Sequence, residues 1–429
     1  MKINEEKVLG VIGLGYVGLP LAMEFVRAGY KTLGFDIDTR KIEKLSQGEV
    51  YLKHIEEVKR RNFFSSGLFT PTTDFSRLNE VDLISICVPT PLDKYRQPDL
   101  SFVENSAEIV SENLKYGAIV VLESTVYPGA TREVVLPILE KSRRKIDRDF
   151  YLAFSPERED PGNKQFTTRN IPKVVGGITE QSKKKVVEIY SKIFDKVVEV
   201  SSAEVAEATK LLENTYRSVN IALVNELKVI FDKMGIDIWE VIEAAKTKPF
   251  GYTPFYPGPG LGGHCIPIDP FYLSWKARMF GINARFIELA GEINMMMPEY
   301  VVMKTISALN KNRKSLRGSK ILIIGIAYKK DIDDCRESPG IELIELLREG
   351  GAEVSYYDPY ITEIYNLRQT DLVMSSVNLT EELLREQDAV IIATDHSNID
   401  YKKIVENCSI IIDTRNALSG IKSDKIFKA

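Results

Sequence analysis

The chain has 429 residues, of which 44% are apolar and 28% are charged, and its formal net charge is −4. This length predicts two or three domains, and this composition is that of an ordinary soluble globular protein. The weakly acidic charge argues against broad nucleic-acid binding but leaves room for a local basic pocket that binds phosphates.

Membrane segments and disulfides are not expected either. No uncharged apolar stretch is long enough to span a membrane, and glycines interrupt the apolar run after Lys7, unlike in a signal peptide. The cysteines, at positions 87, 265, 335 and 408, are too widely spaced for a zinc pattern or a disulfide framework. We therefore expect no membrane association and a reducing cytoplasmic compartment.

Short β-branched runs alternate with helical patterns from Lys7 to about Val200. Strands that alternate with helices predict a parallel, doubly wound sheet of the α/β class. The predicted strands are Val8–Ile12, Lys31–Phe35, Asp82–Val88, Ala118–Leu122, Tyr151–Phe154 and Lys196–Val200.

A long uninterrupted helix is predicted next. Ser201 and Glu204 have the spacing of a capping box, and neither proline nor glycine follows before Gly235. Such a helix would extend roughly 50 Å, which suits a spine between domains. Asp237 then predicts the start of a second helix that ends near Thr247.

The remaining chain begins with a long loop and ends in a second α/β pattern. Residues 248–263 follow neither a strand nor a helix period, and loops of this length are usually functional or mobile. Helical periodicity resumes from Asp269 to Asn312, and Ser338 with Pro339 predicts another helix start. The strand patterns are Lys320–Ile324, Glu353–Tyr357, Ala389–Ala393 and Ile410–Asp413.

A glycine-rich turn directly follows the first predicted strand. Gly13, Gly15 and Gly18 form a G-x-G-x-x-G pattern that opens a helix, as in dinucleotide-binding turns. Asp36 ends the next strand, 23 positions after Gly13, close to the roughly 20 expected of a ribose-binding acid. We therefore predict a dinucleotide site, the alternative being a turn in which the glycines only pack.

The charges around Asp36 bear on which dinucleotide binds. A carboxylate at this position would repel the 2′-phosphate of NADP, which favours NAD. Arg40 and Lys41 leave NADP open, because a nearby cation can accept that phosphate.

Cys265 lies in a loop rich in glycine and has two interpretations. Free cysteine is most often a buried small hydrophobe. However, Asp269 and Pro270 predict a helix start just beyond Cys265, and the positive potential there would favour a thiolate. Neighbouring His264 raises the question of a metal site, but adjacent residues rarely ligate one ion and no second His/Cys pair completes a set. We therefore expect no metal.

Three polar residues lie on one face of the predicted long helix. Lys210, Asn214 and Arg217 follow at i, i+4 and i+7. A solvated face is the usual meaning of such a triplet, whereas a Lys/Asn pair beside a thiol would stabilise the oxyanion of a tetrahedral intermediate. These residues alone leave both interpretations open.

Together, these segments resemble the UDP-glucose/GDP-mannose dehydrogenase family over nearly the whole chain. Their joint order and spacing are more specific than any one segment. They are Val11–Pro20, Val88–Pro91, Glu123–Gly129, Phe154–Arg158, the helix with Lys210 and Asn214, the Tyr256–Pro270 loop, Gly325–Lys329 and Arg336–Pro339.

The resemblance implies an α/β fold of two Rossmann-like doubly wound domains joined by a long central helix. The division it implies is an NAD-binding domain over residues 1–200, a central helical dimerisation region with the catalytic loop over 201–312, and a UDP-sugar-binding domain over 313–429. It also implies a homodimer or a dimer of dimers, with catalysis in the cleft between the α/β domains.

The family's residue roles are carried over position by position. NAD would lie against Gly13, Gly15, Tyr16, Val17, Gly18, Asp36, Lys41, Thr90, Thr125 and Arg336. The UDP-sugar would lie against Lys210, Asn214, Tyr256, Gly258, Gly262, Lys329 and Arg415. The catalytic residues would be Cys265, Lys210, Asn214, Asp269, Glu157 and Thr125.

The implied reaction is a four-electron oxidation of a sugar C6 hydroxyl to the uronate, with two NAD per product. A water held by Thr125 and Asp269 would assist proton removal, and Cys265 would hold the sugar as a thiohemiacetal and then as a thioester. The uronate would feed surface polysaccharide synthesis.

The remaining implied roles belong to three polar residues. Lys210 and Asn214 would stabilise the oxyanions, and Glu157 would act as acid and base in the thioester steps. The closest rival is a two-electron NAD-dependent hydroxy-acid dehydrogenase, in which Lys210 is the base and Cys265 is structural. A rival of another class is an NAD-binding regulator without activity.

The loop around Cys265 also bears on the sugar. It resembles the branch that acts on UDP-N-acetylhexosamines, whereas the UDP-glucose branch usually has a small residue in place of His264. No arginine lies between Arg217 and Arg278, although UDP-glucose dehydrogenases usually have one in this loop. We expect UDP-N-acetylglucosamine as substrate, with UDP-N-acetylmannosamine or UDP-glucose as alternatives.

Overall fold

The computed structural model describes residues 7–52, 55–93, 95–141, 143–159, 163, 165–263, 266–365, 367 and 370–429. The chain forms two compact units. The first contains the chain up to Glu213 together with Phe271–Asn283, and the second contains Asn214–Pro270 and Ala284–Ala429.

An eight-stranded sheet forms the centre of the described part of the first unit. Its strands are β1 Val8–Ile12, β2 Lys31–Phe35, β3 Phe69–Thr72, β4 Leu83–Ile86, β5 Ala118–Leu122, β6 Phe150–Phe154, β7 Lys173–Gly177 and β8 Val197–Glu199. They are ordered β3-β2-β1-β4-β5-β6-β7-β8, and every pair is parallel except β6 with β7. The first six strands have the order typical of dinucleotide-binding folds, so the predicted doubly wound sheet is confirmed.

Helices connect these strands and close one apolar core. They are α1 Gly18–Arg27, α2 Thr39–Ser46, α3 Glu57–Ser65, α4 Ser101–Asn113, α5 Leu136–Glu140 and α6 Glu180–Tyr190, with a 3₁₀ turn at Phe75–Glu80 and a π turn at Thr131–Val135. Leu9, Phe25, Val121 and Tyr190 are members of this core and have no exposed surface. The first unit therefore has its own core.

The predicted long helix is present as α7, Ala203–Met234. Its 32 residues correspond to a length of about 48 Å. The capping serine is one position later than predicted, because it is Ser202 Oγ that accepts a hydrogen bond from the N–H of Val205, at 3.4 Å. The long central helix is thus confirmed.

Three shorter helices follow α7. Helix α8, Ile238–Lys246, begins at the predicted cap Asp237, whose side chain accepts from the N–H of Trp239 at 3.1 Å. The helical periodicity from Asp269 to Asn312 corresponds to two helices, α9 Asp269–Met279 and α10 Arg285–Lys311. Gly281, with a φ of +73°, lies at the break, where a left-handed residue cannot continue a helix.

The second unit contains a five-stranded parallel sheet in its described part. The remaining elements are β9 Lys320–Ile324, α11 Pro339–Glu349, β10 Glu353–Tyr357, β11 Glu363–Ile364, β12 Met374–Ser375, α12 Glu381–Glu386, β13 Ala389–Ile392, α13 Tyr401–Asn407, β14 Ile411–Asp413 and β15 Ile426–Lys428. The sheet order is β10-β9-β13-β14-β15, and β11 and β12 form a separate antiparallel pair. A second α/β domain is therefore confirmed.

Both faces of this second sheet are buried. In β9, Ile321 and Ile323 belong to one core, and Leu322 and Ile324 belong to another, all without exposed surface. Burial on both faces explains why such strands appear in the sequence as continuous apolar runs. Within the described residues, no helix combines the length and the apolar character needed to cross a membrane.

Candidate active site

The glycine turn after β1 has open space at one of its three glycines. A Cβ on Gly13, whose φ is +88°, would lie 2.5 Å from the carbonyl oxygen of Cys87, and a Cβ on Gly18 would overlap the carbonyl oxygen of Gly13. These two glycines are required by packing within the protein. A Cβ on Gly15 would meet nothing within 4 Å. A dinucleotide needs such open space for its pyrophosphate to approach the backbone.

Asp36 lies beside this turn and is 6% exposed. Its Oδ2 accepts from the N–H of Leu14 at 2.9 Å and from Nζ of Lys41 at 3.0 Å, and its Oδ1 accepts from the N–H of Asp38 at 2.9 Å. Arg40 pairs with Asp38 instead. Because a carboxylate has about four acceptor positions, Asp36 retains capacity for a ribose hydroxyl.

The strand ends next to the glycine turn are tied together by Ser124. Its Oγ accepts from the N–H of Val88 at 2.9 Å and donates to the carbonyl oxygen of Val88 at 2.7 Å. This links the segment of Thr90, after β4, to that of Thr125, after β5. The carboxyl ends of parallel strands are where ligands bind in open α/β sheets. Tyr16 and Val17, in the turn itself, are half-buried.

The first polar pair of the site consists of Lys210 on α7 and Glu157 after β6. Nζ of Lys210 lies 3.6 Å from Oε2 of Glu157, and the two side chains are 7% and 13% exposed. Burial raises the pKa of Glu157, while the charges of Lys210 and Lys173 oppose that rise. A carboxyl group with a raised pKa beside an ammonium is a candidate for exchanging protons with a substrate.

Further ionisable side chains lie around Glu157. Glu123 has a fully buried side chain that pairs with Lys173 and accepts from the hydroxyl of Tyr190. Glu123, Glu157, Glu159 and Lys173 line a cavity of about 20 Å³, which is enough for one water. Burial and the charge of Glu157 raise the pKa of Glu159 to about 8. Lys173 and Glu159 were not predicted as part of the site, because the only local signal they give is charge next to apolar strands.

The second polar pair consists of Asn214 on α7 and Asp269 at the start of α9. Nδ2 of Asn214 donates to Oδ2 of Asp269 at 2.5 Å, and the residues are 8% and 3% exposed. Asn214 thereby fixes the orientation of a buried carboxylate. Arg217, which follows Lys210 and Asn214 on α7, is exposed. Cys265, together with His264, lies outside the described residues.

The loop before Cys265 packs against residues that were expected to hold the UDP-sugar. A Cβ on Gly258 would collide with the guanidinium of Arg415, and a Cβ on Gly262 would lie 2.7 Å from Cβ of Tyr328, which precedes Lys329. Burial lowers the pKa of Arg415. The second unit therefore brings Gly258, Gly262, Arg415 and the Lys329 segment into one region.

Two other residues assigned by resemblance have partners within the protein. The hydroxyl of Tyr256 donates to Oε1 of Glu243 at 2.8 Å, and its ring stacks on Trp239. Arg336 is in the second unit and forms a two-pronged pair with Asp334, with Nη2 2.6 Å from Oδ2. Their roles toward substrate and cofactor stay predictions.

A buried histidine–aspartate pair, also missed from the sequence, holds the loop after β9. Nδ1 of His396 accepts from the N–H of Asp331 at 3.0 Å, so its proton lies on Nε2, 3.1 Å from Oδ2 of Asp358. The same Oδ2 accepts from the N–H groups of Ile326 and Ala327 at 2.7 and 3.0 Å. Among the described residues, no three His, Cys, Asp or Glu side chains are placed to hold a metal ion.

Three family models match the chain in succession. They are the NAD binding domain of the UDP-glucose/GDP-mannose dehydrogenase family over residues 7–194, its central domain over 204–296 and its UDP binding domain over 322–420. The glycine turn lies in the first match, Lys210, Asn214 and Asp269 lie in the second, and Lys329 and Arg415 lie in the third.

Individual relatives cover most of the chain. A UDP-N-acetyl-D-glucosamine 6-dehydrogenase of Pseudomonas aeruginosa is 38% identical over 82% of this chain and 83% of its own length. One of Salmonella typhi is 36% identical over 98% of this chain and 99% of its own. The solved structure of a UDP-D-ManNAc dehydrogenase from Pyrococcus horikoshii is 32% identical, covers 98% of each chain and has a TM-score of 0.88.

Proposed function

This chain belongs to the UDP-glucose/GDP-mannose dehydrogenase family and is an NAD-dependent UDP-sugar dehydrogenase, and we propose that it oxidises the C6 hydroxyl of UDP-N-acetylglucosamine to the uronate. The observation that carries the proposed oxidation to the uronate is the pairing of Glu157 with Lys210 and of Asp269 with Asn214, and the choice of sugar rests on the similarity to UDP-N-acetyl-D-glucosamine 6-dehydrogenases. A two-electron hydroxy-acid dehydrogenase needs only one base, whereas acyl-type chemistry needs an acid–base pair and oxyanion donors.

The cofactor fits the first unit. The open space at Gly15 would admit the pyrophosphate, and Asp36 would accept from a ribose hydroxyl. Thr90, Thr125 and Lys41 complete the proposed contacts in that unit, together with Tyr16 and Val17, and Arg336 is proposed from the resemblance. When bound, NAD supplies the hydride acceptor for each oxidation.

In the proposed reaction, one alcohol, one water and two NAD⁺ give one carboxylate, two NADH and three protons. Atoms and electrons therefore balance. The C6 carbon gives up a hydride and its hydroxyl gives up a proton, which leaves the aldehyde, and a water held by Thr125 and Asp269 takes the proton. Sγ of Cys265 then forms a bond to the carbonyl carbon, whose oxygen takes a proton, which gives the thiohemiacetal. Loss of a second hydride and proton leaves a thioester.

Hydrolysis of the thioester completes the reaction. Water adds to the carbonyl carbon, the C–S bond breaks, and Cys265 leaves as the thiolate. Lys210 and Asn214 are proposed to stabilise the oxyanion at each tetrahedral stage, and Glu157 is proposed to exchange the protons, which its raised pKa supports.

The other cysteines support the choice of Cys265 as nucleophile. Cys87, Cys335 and Cys408 are free but buried. Burial raises the pKa of Cys335 to about 11 and that of Cys408 to about 12, and it raises the pKa of Cys87 well above its usual range. A thiol with so high a pKa is a poor nucleophile at neutral pH. These three free thiols are also consistent with the reducing cytoplasm in which we propose that the protein acts.

A homodimer built on α7 is part of the proposal. Seven- and four-residue spacings place a stripe of exposed apolar side chains along this helix. They are Val205, Leu212, Tyr216, Leu223, Ile230 and Met234, which are 42%, 67%, 52%, 51%, 45% and 63% exposed. A second copy of the chain would cover this stripe. A dimer of dimers is the alternative assembly. We keep 1–200, 201–312 and 313–429 as the proposed functional division.

Stoichiometry tests the proposed reaction. The purified protein is incubated with NAD and, separately, UDP-N-acetylglucosamine, UDP-N-acetylmannosamine or UDP-glucose, while NADH is followed by absorbance. We expect two NADH per uronate and the highest kcat/KM with UDP-N-acetylglucosamine. One NADH with free aldehyde would contradict the four-electron reaction, and a preference for another sugar would correct the substrate.

Substitution of the thiol tests the covalent step. Cys265→Ser should lower uronate formation by at least about a thousandfold while NAD binding is kept. Cys408→Ala, which removes a buried thiol in the second unit, is the matched control and should keep the activity of its folded fraction. Undiminished uronate formation by Cys265→Ser would rule out covalent catalysis.

A further inference from the structure

Glu207 is a buried carboxylate on α7 that has no role in the proposed chemistry. Glu207 has no exposed surface. Oε2 accepts from the N–H of Gly129 at 2.6 Å, and Oε1 accepts from the N–H and the hydroxyl of Thr131 at 2.8 and 2.5 Å. One side chain of α7 therefore holds a single short segment of the loop after β5.

The segment that Glu207 holds is the continuation of the Thr125 loop. Gly129 is four residues after Thr125, and its φ of +102° turns the chain at the point where its N–H meets the carboxylate. Between them, Val126 is 1% exposed and Tyr127 is 7% exposed. Thr131 then opens the π turn, a conformation that often marks functional sites. A shift at Gly129 would thus reach Thr125 through a short segment that contains two buried residues.

Stability does not explain this carboxylate. Burial raises the pKa of Glu207 to about 7, although its three donors oppose the rise. The arginine of the same segment, Arg132, pairs instead with Glu204, one turn earlier on α7, at 2.6 Å. A buried carboxylate that accepts from uncharged donors costs free energy at and above neutral pH. The hydrogen bonds of Glu207 therefore fix the geometry of this segment, whereas an apolar contact in their place would be more stable.

We propose that Glu207 is a positioning residue that fixes the Thr125 loop in register with the turn of α7 that carries Lys210. Glu207 and Lys210 are three residues apart, so they lie on neighbouring turns of one helix face. The inference rests on the proposed function for the roles of Thr125 and Lys210, but the clamp itself can be tested without substrate.

A tryptophan beside the loop reports on the clamp. The ring of Trp275 lies 5.0 Å from that of Tyr127, in the held loop. The chain has two tryptophans, so a Trp239→Phe background leaves Trp275 alone. In that background we expect Glu207→Gln to shift the Trp275 emission at about pH 8.5, because the amide presents a donor where the carboxylate accepted. Glu204→Gln, which alters the exposed pair on the same segment, is the matched control and should leave the emission unchanged.

Steady-state kinetics in the otherwise unaltered chain test the catalytic consequence. We expect Glu207→Gln to lower kcat about 10- to 100-fold with both KM values within about twofold, since a displacement of about 1 Å at a reacting group costs on the order of a hundredfold. Thr131→Ser, which keeps the hydroxyl, should retain kcat, and Thr131→Val should lose part of it. A structural role alone would lower the folded fraction and leave the kcat of folded protein unchanged.

The two assays separate the possible failures. Unchanged Trp275 emission in Glu207→Gln would overturn the clamp. Shifted emission with unchanged kcat would overturn its role in positioning Thr125. Absence of NADH formation by the unaltered chain with any UDP-sugar would count against the proposed function, while the emission assay would still decide the clamp.

Discussion

The titration of Glu207 gives a quantitative prediction about stability. The perturbation is Glu207→Gln, which replaces a titrating side chain by one of similar shape that stays neutral. We expect the difference in free energy of unfolding between the unaltered chain and this variant to change with pH. Loss of a hydrogen bond adds an offset that is independent of pH, so the slope alone carries the test.

The magnitude follows from the pKa of Glu207, which burial raises from 4.5 to about 7. A carboxyl group with a higher pKa in the folded state binds its proton more tightly there. Its contribution to stability is therefore complete below its unfolded pKa and is lost as the pH rises through its folded pKa. At about 1.4 kcal/mol per pKa unit, the unaltered chain should lose about 2.5 kcal/mol relative to the variant between about pH 5 and about pH 8.

Urea unfolding followed at Trp275 measures this difference, since Trp275 lies in the first unit and the Trp239→Phe background removes the other signal. Glu204→Gln is the control, because hydrogen bonding to Arg132 and Ser202 outweighs burial and lowers the pKa of Glu204, so Glu204 stays ionised throughout this range. A difference for Glu207→Gln that is constant to within about 0.5 kcal/mol over this range would refute the raised pKa.

Three further predictions concern nucleotide binding. Gly15→Ala should leave the free energy of unfolding unchanged and weaken NAD binding at least about tenfold in calorimetry. Gly18→Ala, by contrast, should destabilise the fold itself. An unchanged NAD affinity of Gly15→Ala would place the pyrophosphate elsewhere. Asp36→Ala should raise kcat/KM for NADP relative to NAD by about 10- to 100-fold, because it removes a repelling charge and releases Lys41 for a phosphate; an unaltered ratio would contradict this. His396→Ala should destabilise the second unit by about 1–3 kcal/mol in thermal unfolding and weaken UDP binding, with NAD binding unchanged, because it removes a hydrogen bond to the buried Asp358 and one to the N–H of Asp331. Equal loss of both nucleotides would show a global effect.

The strands that were predicted correctly are those whose local pattern reflects their burial. β1, β5 and β9 are apolar runs buried on the sheet, so their sequences alone identify them. β3 was missed because it is a half-buried edge strand that contains Pro71, and β7 was missed because it ends in glycines and pairs antiparallel with β6. Such strands are defined by tertiary pairing rather than by their own composition.

The site shows the same limit for contacts. Lys210, Asn214 and Asp269 could be selected from the sequence by type and position, but their partners are far away along the chain. Asn214 and Asp269 are 55 residues apart, and Glu207 is 78 residues from Gly129. The sequence pattern therefore predicts candidate residues, but it does not predict which side chain each of them contacts.

The aspartate that follows the second strand of each α/β unit differs between the units in how many further hydrogen bonds it can accept. Asp36 receives three hydrogen bonds from the protein, whereas Asp358 receives five, from the N–H groups of Ile326, Ala327, Tyr360 and Ile361 and from His396. Five donors saturate a carboxylate, so the second unit has no acceptor for a ribose hydroxyl at this position. Among the described residues, this leaves the Asp36 turn as the place for a dinucleotide. The four-electron oxidation that we propose would, at one such place, require the chain to exchange its cofactor midway. In the proposed reaction, the sugar would then have to stay bound to Cys265 for longer than that exchange takes, so its retention would be a kinetic requirement.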